Sequence, residues 1–139
     1  MTARCFADTN IFLYAGSNDP ADAVKKKIAR DLISSEELGL SAQVLQEFIA
    51  AAAAKKRLAI NAEEAKATII ALLEFPVVPI TAELVLHALE LKTRYQISYW
   101  DAAIIAAALQ LGCETIYSED LNDGQEYGGV VVRNPFAQT

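Results

Sequence analysis

Four carboxylates stand where local structure leaves part of their placement unexplained. Asp8 interrupts the apolar stretch FADTNIFLYA, and Glu47 borders an apolar stripe in SAQVLQEFIAAA. Asp101 is the single charge in the first half of ISYWDAAIIAAAL, and Asp120 follows an apolar run in ETIYSEDLN. Taken singly, each has an ordinary explanation. Asp8 suits a helix N-cap, worth about 1 kcal/mol, and Asp101, three residues after Ser98, suits a capping box with Asp in the place of the usual Glu. Asp120 suits a turn, and Glu47 a solvated helix flank. Taken together they suit a metal. Two carboxylates about 4 Å apart repel by roughly 4 kcal/mol at an effective dielectric of 20, so a converging set stays ionised only beside a cation. An all-oxygen set favours Mg²⁺ or Mn²⁺, whereas zinc prefers imidazole and thiolate. Those ligands are scarce in a chain with one histidine and two cysteines.

The elements that must position these acids alternate between strand and helix. Residues 3–7 (ARCFA) read as a short strand and residues 9–16 as a first helical piece. Pro20 sits near the start of a helix with Ala23, Val24, Ile28 and Leu32 as its stripe, a place where its missing N–H is harmless. LGLS (38–41) is a second strand, after which Ser41 caps the helix AQVLQEFIAAAAAKK, with Val44, Leu45, Phe48, Ile49 and Ala52 facing inward. Asn61 and Glu64 form a capping box before AEEAKATIIALLEF. VVPI (77–80) is a third strand weakened by Pro79, and Thr81 caps AELVLHALELKTRY. SYWDAAIIAAALQLG forms the next helix, stopped by Gly112, and ETIY and VVVR supply two further strands. Strands separated by helices predict an α/β fold, with a mainly parallel central sheet flanked by helices on both faces. In such sheets ligands bind beyond the carboxyl ends of the strands, where Asp8 and Asp120 both fall.

Composition sets the outer limits. At 139 residues the expectation is a single domain over 1–139, burying roughly 68 to 70% of its unfolded surface. No apolar run reaches the roughly 18 to 20 residues of a membrane helix, and MTARC lacks the pattern of a signal peptide, so a cytoplasmic protein is expected. Cys5 and Cys113 are too few for a disulfide scaffold and read as buried free thiols. The net charge of -6 argues against non-specific nucleic-acid binding, although acids concentrated at one site would weaken that argument.

ADTNIFLYA, VLQEF, SYWDAAIIAAA and IYSEDLNDGQ, in that order and at those separations, resemble the PIN-domain nucleases, in particular the VapC-type ribonuclease toxins of prokaryotic toxin–antitoxin pairs. The resemblance covers essentially the whole chain. It implies that Asp8, Glu47, Asp101 and Asp120 form the acidic metal site, with Asn10 and Ser118 as polar supports. At the fourth acid, Glu119 and Asp123 compete with Asp120, which keeps the family's spacing from Ser118. Asn122 stands where some members carry a further Asp, which leaves one or two metals open. The implied activity is Mg²⁺- or Mn²⁺-dependent hydrolysis of RNA, leaving 5′-phosphate and 3′-hydroxyl ends. The implied partners are an RNA substrate, a cognate antitoxin whose basic segment enters the cleft, and a second copy in a homodimer, for which the Ala-rich FIAAAAAKK offers close approach.

Other residues read more plainly. His87, in ELVLHALEL, is a helix-face residue, and its solitude leaves no histidine pair for metal-free cleavage. Lys25, Lys26, Lys27 and Arg30, then Lys55, Lys56 and Arg57, then Lys92 and Arg94 form basic clusters. Each is a solvated face unless it lines the cleft. Trp100 is expected to pack at its helix start, with stacking on an unpaired base as the alternative. An aspartyl-phosphate phosphatase wants a second Asp at position 10, which is Asn, and a receiver module wants a lysine after a late strand. A housekeeping RNA-processing nuclease and a non-catalytic RNA- or protein-binding module remain as rivals.

Overall fold

The structure is a computed structural model that describes residues 1–54, 58 and 60–137. The first strand, β1 (Cys5–Ala7), leads through Asp8 into helix α1 (Thr9–Ala15). A 3-10 turn (Pro20–Asp22), with Asp19 capping it and Pro20 in its first turn, opens α2 (Ala23–Ser35). Next come β2 (Leu38–Ser41), α3 (Ala42–Ala54), α4 (Ala62–Leu72) and β3 (Val77–Val78). Helices α5 (Ala82–Tyr95) and α6 (Tyr99–Gln110) follow, then β4 (Thr115–Tyr117), β5 (Glu126–Tyr127) and β6 (Val130–Arg133).

Several boundaries follow from side-chain caps. Asn61 and Glu64 make both bonds of a capping box at α4, Thr81 accepts from Leu84 at α5, and Ser98 accepts from Asp101 at α6. Gly112, at φ 75°, ends α6 in a conformation that costs glycine little. The strands join in the order β3-β2-β1-β4-β6-β5, all parallel except the β5–β6 pair. Every residue of β1 and β2 is buried, so both faces of the sheet's centre are covered, as expected for parallel strands. Helix α6 is buried from Ala102 to Ala108 and packs on α5, β2, β4 and β6. Its run of alanines permits that close approach.

The chain order reverses beside β1. It builds outward through β2 and β3, then crosses to β4 on β1's other side. The carboxyl ends of β1 and β4 therefore flank a switch point, where a crevice opens in sheets of this kind.

The structure corrects several expectations. Val24 is 62% exposed, Ile49 45% exposed and Ala23 exposed too, so none of them belongs to an inward stripe. Ala29, with Ile28, Leu32 and Ile33, faces the core on α2, and Val44, Phe48 and Ala52 do so on α3. The α3 run is apolar over too wide an arc for spacing to choose the buried edge. Strand 3–7 contracts to Cys5–Ala7, and 77–80 contracts to Val77–Val78 just before Pro79, which has no N–H for a ladder. The short antiparallel strand β5 was not foreseen. The basic run Lys55, Lys56 and Arg57 lies outside the described residues.

Candidate active site

Asp8 directly follows β1 and caps α1, and its position is fixed by both. Its backbone N–H donates to the Tyr117 carbonyl at the end of β4, 3.0 Å away. Its two carboxylate oxygens accept separately, one from the Thr9 N–H at 2.7 Å and the other from the Ser118 hydroxyl at 2.8 Å. Ser118 is fully buried, and its oxygen also accepts from the N–H groups of Asp120 and Leu121. With those donors occupying its lone pairs, the hydroxyl proton is left to point at Asp8.

The other acids arrive from three further elements. Glu47, on α3, accepts from the Thr9 hydroxyl at 2.9 Å. Asp120, beyond β4, accepts from the Asn10 amide at 3.0 Å. Asp101 gives its backbone N–H to the Ser98 cap, while its side chain lines the cleft. The Gln43 amide donates to the Trp100 carbonyl at 3.2 Å and so ties α3 to the start of α6. Asp8, Glu47, Asp101 and Asp120 all line one cavity of about 220 Å³, together with Thr9, Asn10 and Trp100, and with Leu13, Ala51 and Ile104 as apolar wall. The sequence-chosen acids are thus brought to one place, with Asn10 beside them and Ser118 behind Asp8.

The choice at the fourth acid is now visible in the geometry. Glu119 turns away, ion-paired to Lys25 at 2.6 Å and accepting from the Tyr14 hydroxyl at 2.7 Å. Asp123 accepts from the Asn134 N–H at 2.9 Å. Asp120 alone of the three lines the cleft. Sequence reasoning missed Thr9, whose hydroxyl orients Glu47; its place immediately after Asp8 at the start of a helix was the available signal. Trp100 departs from the packed position expected of it. Its ring meets Tyr99 edge to face at 5.1 Å, yet the side chain is 65% exposed.

The electrostatics are one-sided. Burial pushes the Asp8 carboxyl up to about 6, against the hydrogen bonds from Ser118 and Thr9 and with reinforcement from the charges of Glu47 and Asp120. No lysine or arginine is among the described residues that line the cleft. Lys25 is held by Glu119, Lys27 pairs with Asp31 one helical turn on, and Arg30 donates to the Ala15 carbonyl. The donor set therefore fits a hard divalent cation: oxygen ligands, excess negative charge and no competing side-chain cation. As they stand, no three His, Cys, Asp or Glu side chains among the described residues are close enough to hold one ion. Asp8 is the buried corner, while Glu47 and Asp120 are exposed and Asp101 is half-buried.

Comparisons with known proteins bear on this arrangement. No curated protein sequence matches the chain significantly. Among solved structures, it is similar to VapC20 of Mycobacterium tuberculosis, described as a sarcin-ricin loop cleaving toxin. That likeness has 24% identity and a TM-score of 0.69, and covers 94% of this chain and 99% of the other. A chain of a toxin–antitoxin complex from Klebsiella pneumoniae is 19% identical, with a TM-score of 0.67 and 94% and 97% of the two chains covered. A chain of VapBC2 from Rickettsia felis, bound to a promoter DNA fragment, is 18% identical, with a TM-score of 0.63 and the same coverage. At such identities the likeness speaks for the fold. The sequence profile of the PIN domain matches residues 5–122, a span that contains all four acids of the cleft, and the chain accordingly belongs to the PIN-domain family.

Proposed function

We propose that the protein is an Mg²⁺- or Mn²⁺-dependent endoribonuclease and the toxin of a toxin–antitoxin pair. One observation carries this reading: four carboxylates from four separate motifs meet in one cleft at the switch point of the sheet. The solved toxins it resembles support the toxin assignment, and the description of one as cleaving the sarcin-ricin loop supports RNA as substrate. The reading also takes the protein to be a cytoplasmic homodimer, silenced by an antitoxin with a basic segment suited to the acidic cleft. Among the described residues no helix is long and apolar enough to cross a membrane.

Asp8, Asp101 and Asp120 would hold the ion, with Glu47 binding it through water or orienting the attacking water. When bound, the ion neutralises charge developing on the scissile phosphate and lowers the pKa of its water. Ser118 and Thr9 hold Asp8 in one orientation, Thr9 also holds Glu47, and Asn10 holds Asp120. Such outer hydrogen bonds fix ligand geometry before the substrate arrives.

The spread of the carboxylates favours one rival, a PIN module that binds RNA or protein without cutting. Purified native protein, free of any antitoxin, separates the two readings when incubated with structured RNAs. The nuclease reading expects cuts with 5′-phosphate ends that require Mg²⁺ or Mn²⁺, stop in EDTA, and fall by more than about 100-fold in folded Asp8→Asn. Metal and RNA binding without cuts would support the rival. Cleavage indifferent to EDTA, or 2′,3′-cyclic phosphate ends, would overturn the metal mechanism.

A further inference from the structure

We propose that Trp100 and the depression beside it form a subsite for an unpaired nucleobase next to the scissile phosphate; this rests on the nuclease reading above. Trp100 is the second residue of α6 and immediately precedes Asp101. It lines the acidic cleft and also a neighbouring depression of about 50 Å³, shared with Gln43, Gln46 and Tyr99 and with the apolar Ile80, Leu84 and Val85. Trp100 is therefore shared between the cleft that a phosphate would occupy and a neighbouring surface that a base could cover.

The ring is exposed but its base is held. Gln43 is itself buried and donates to the Trp100 carbonyl, and the Tyr99 ring meets the indole at an interplanar angle of 83°. A large aromatic surface left 65% in water forgoes the burial that normally places tryptophan inside. A nucleobase supplies the missing cover, because every base has a face that stacks on an aromatic ring whatever its identity. Gln46 borders the same depression and offers an amide donor and acceptor to a base edge. A base already paired and stacked in a helix has no free face. The subsite thus selects loops and single strands, the form in which RNA bases are generally read.

A second copy of the chain is the competing cover. Trp100 borders the acidic cleft directly, so a copy seated over the indole would also cover the cleft mouth that a substrate enters. A base on the indole instead carries its own phosphate to that mouth.

Trp100 is the only tryptophan in the chain, so indole fluorescence reports on this side chain alone. Native protein is titrated in Ca²⁺, with RNA checked to be intact, using a single-stranded hexaribonucleotide and then the same sequence as a duplex. Saturable quenching by the single strand and none by the duplex is expected. Trp100→Ala should weaken binding of a labelled hexamer by about 5- to 150-fold, with Trp100→Phe keeping most of the affinity. Unchanged emission at saturation, or native binding by Trp100→Ala, would overturn the subsite while cleavage by the native chain in Mg²⁺ still stood. A blue shift that grows with protein concentration without RNA would also overturn it, in favour of a second copy. Failure of the native chain both to bind and to cut would remove the nuclease reading as well.

Discussion

Asp8 carries opposed demands at one residue. It is buried to 8% exposure, accepts from Thr9 and Ser118, and faces Glu47 and Asp120 across the cleft. Its carboxyl is raised from 3.8 to about 6, so between those values the folded state keeps a proton that the unfolded state has lost. Stability of the metal-free protein therefore falls as pH rises through that window, and the full penalty, about 2 to 3 kcal/mol, is present above about pH 6. Asp8→Asn removes the charge but can accept from only one of its two donors, which returns about 1 kcal/mol of the gain. In EDTA at pH 7.5 the variant should melt about 3 to 6 °C above the native chain, and the difference should vanish near pH 4. Thermal melts across that range check it; a variant less stable at pH 7.5 would show that the hydrogen bonds outweigh the charge. At this scale much of the site was legible, because each of the four acids sat where a local rule left a remainder. Local pattern did not separate Glu119 from Asp120, which only the family's spacing from Ser118 favoured, since the partners that draw Glu119 away, Lys25 and Tyr14, lie 94 and 105 residues back along the chain.

Helices and strands place the site through contacts that spacing only partly discloses. The caps at Asn61, Thr81 and Ser98 were readable because a cap and the N–H it satisfies lie within one turn. The buried edges of α2 and α3 were readable in part: Ile28, Leu32, Val44, Leu45, Phe48 and Ala52 pack on the core as expected, while Val24 and Ile49, as apolar as those neighbours, are exposed because tertiary packing chose between them. β5 escaped because two residues, Glu126 and Tyr127, carry no period. Gly39 shows the same limit in β2. A Cβ there would lie 2.6 Å from Leu111 Cδ1 and 2.9 Å from Ala3 Cβ, so this strand passes closely beneath the end of α6 and the segment before β1. Gly39→Ala should lose about 1 to 3 kcal/mol, read as a lower urea midpoint with an unchanged slope. A neutral result would mean that Leu111 swings aside freely and that the β2–α6 contact is looser than the geometry indicates. The loop after β4 is fixed at both ends of a short run: Ser118 reaches Asp8, Glu119 reaches Lys25 on α2, and Asp120 reaches Asn10 on α1. Three successive side chains thereby join three elements around the cleft.

For the whole molecule, charge and topology converge on the same crevice. The chain carries -6, and four of its acids line a cavity in which no described lining residue is basic. Self-repulsion of this kind opposes the compact state, so a cation that binds the folded site alone should stabilise the protein by mass action, by about 2.7 kcal/mol at a concentration 100 times its dissociation constant. Mn²⁺ or Mg²⁺ at pH 7.5 should raise the melting temperature along a saturating curve. At pH 5 the rise should shrink, because a proton on Asp8 competes with the ion. General screening by salt predicts something different: NaCl at matched ionic strength would give the same rise, with no saturation and no dependence on Asp8. Equal shifts with NaCl and with the divalent ions, or a full divalent shift in Asp8→Asn, would show that the acids act only through net charge. A saturable shift confined to the native chain would instead assign the stabilisation to the crevice between β1 and β4, where the reversal of strand order brings the first acid of the chain beside the last of the four.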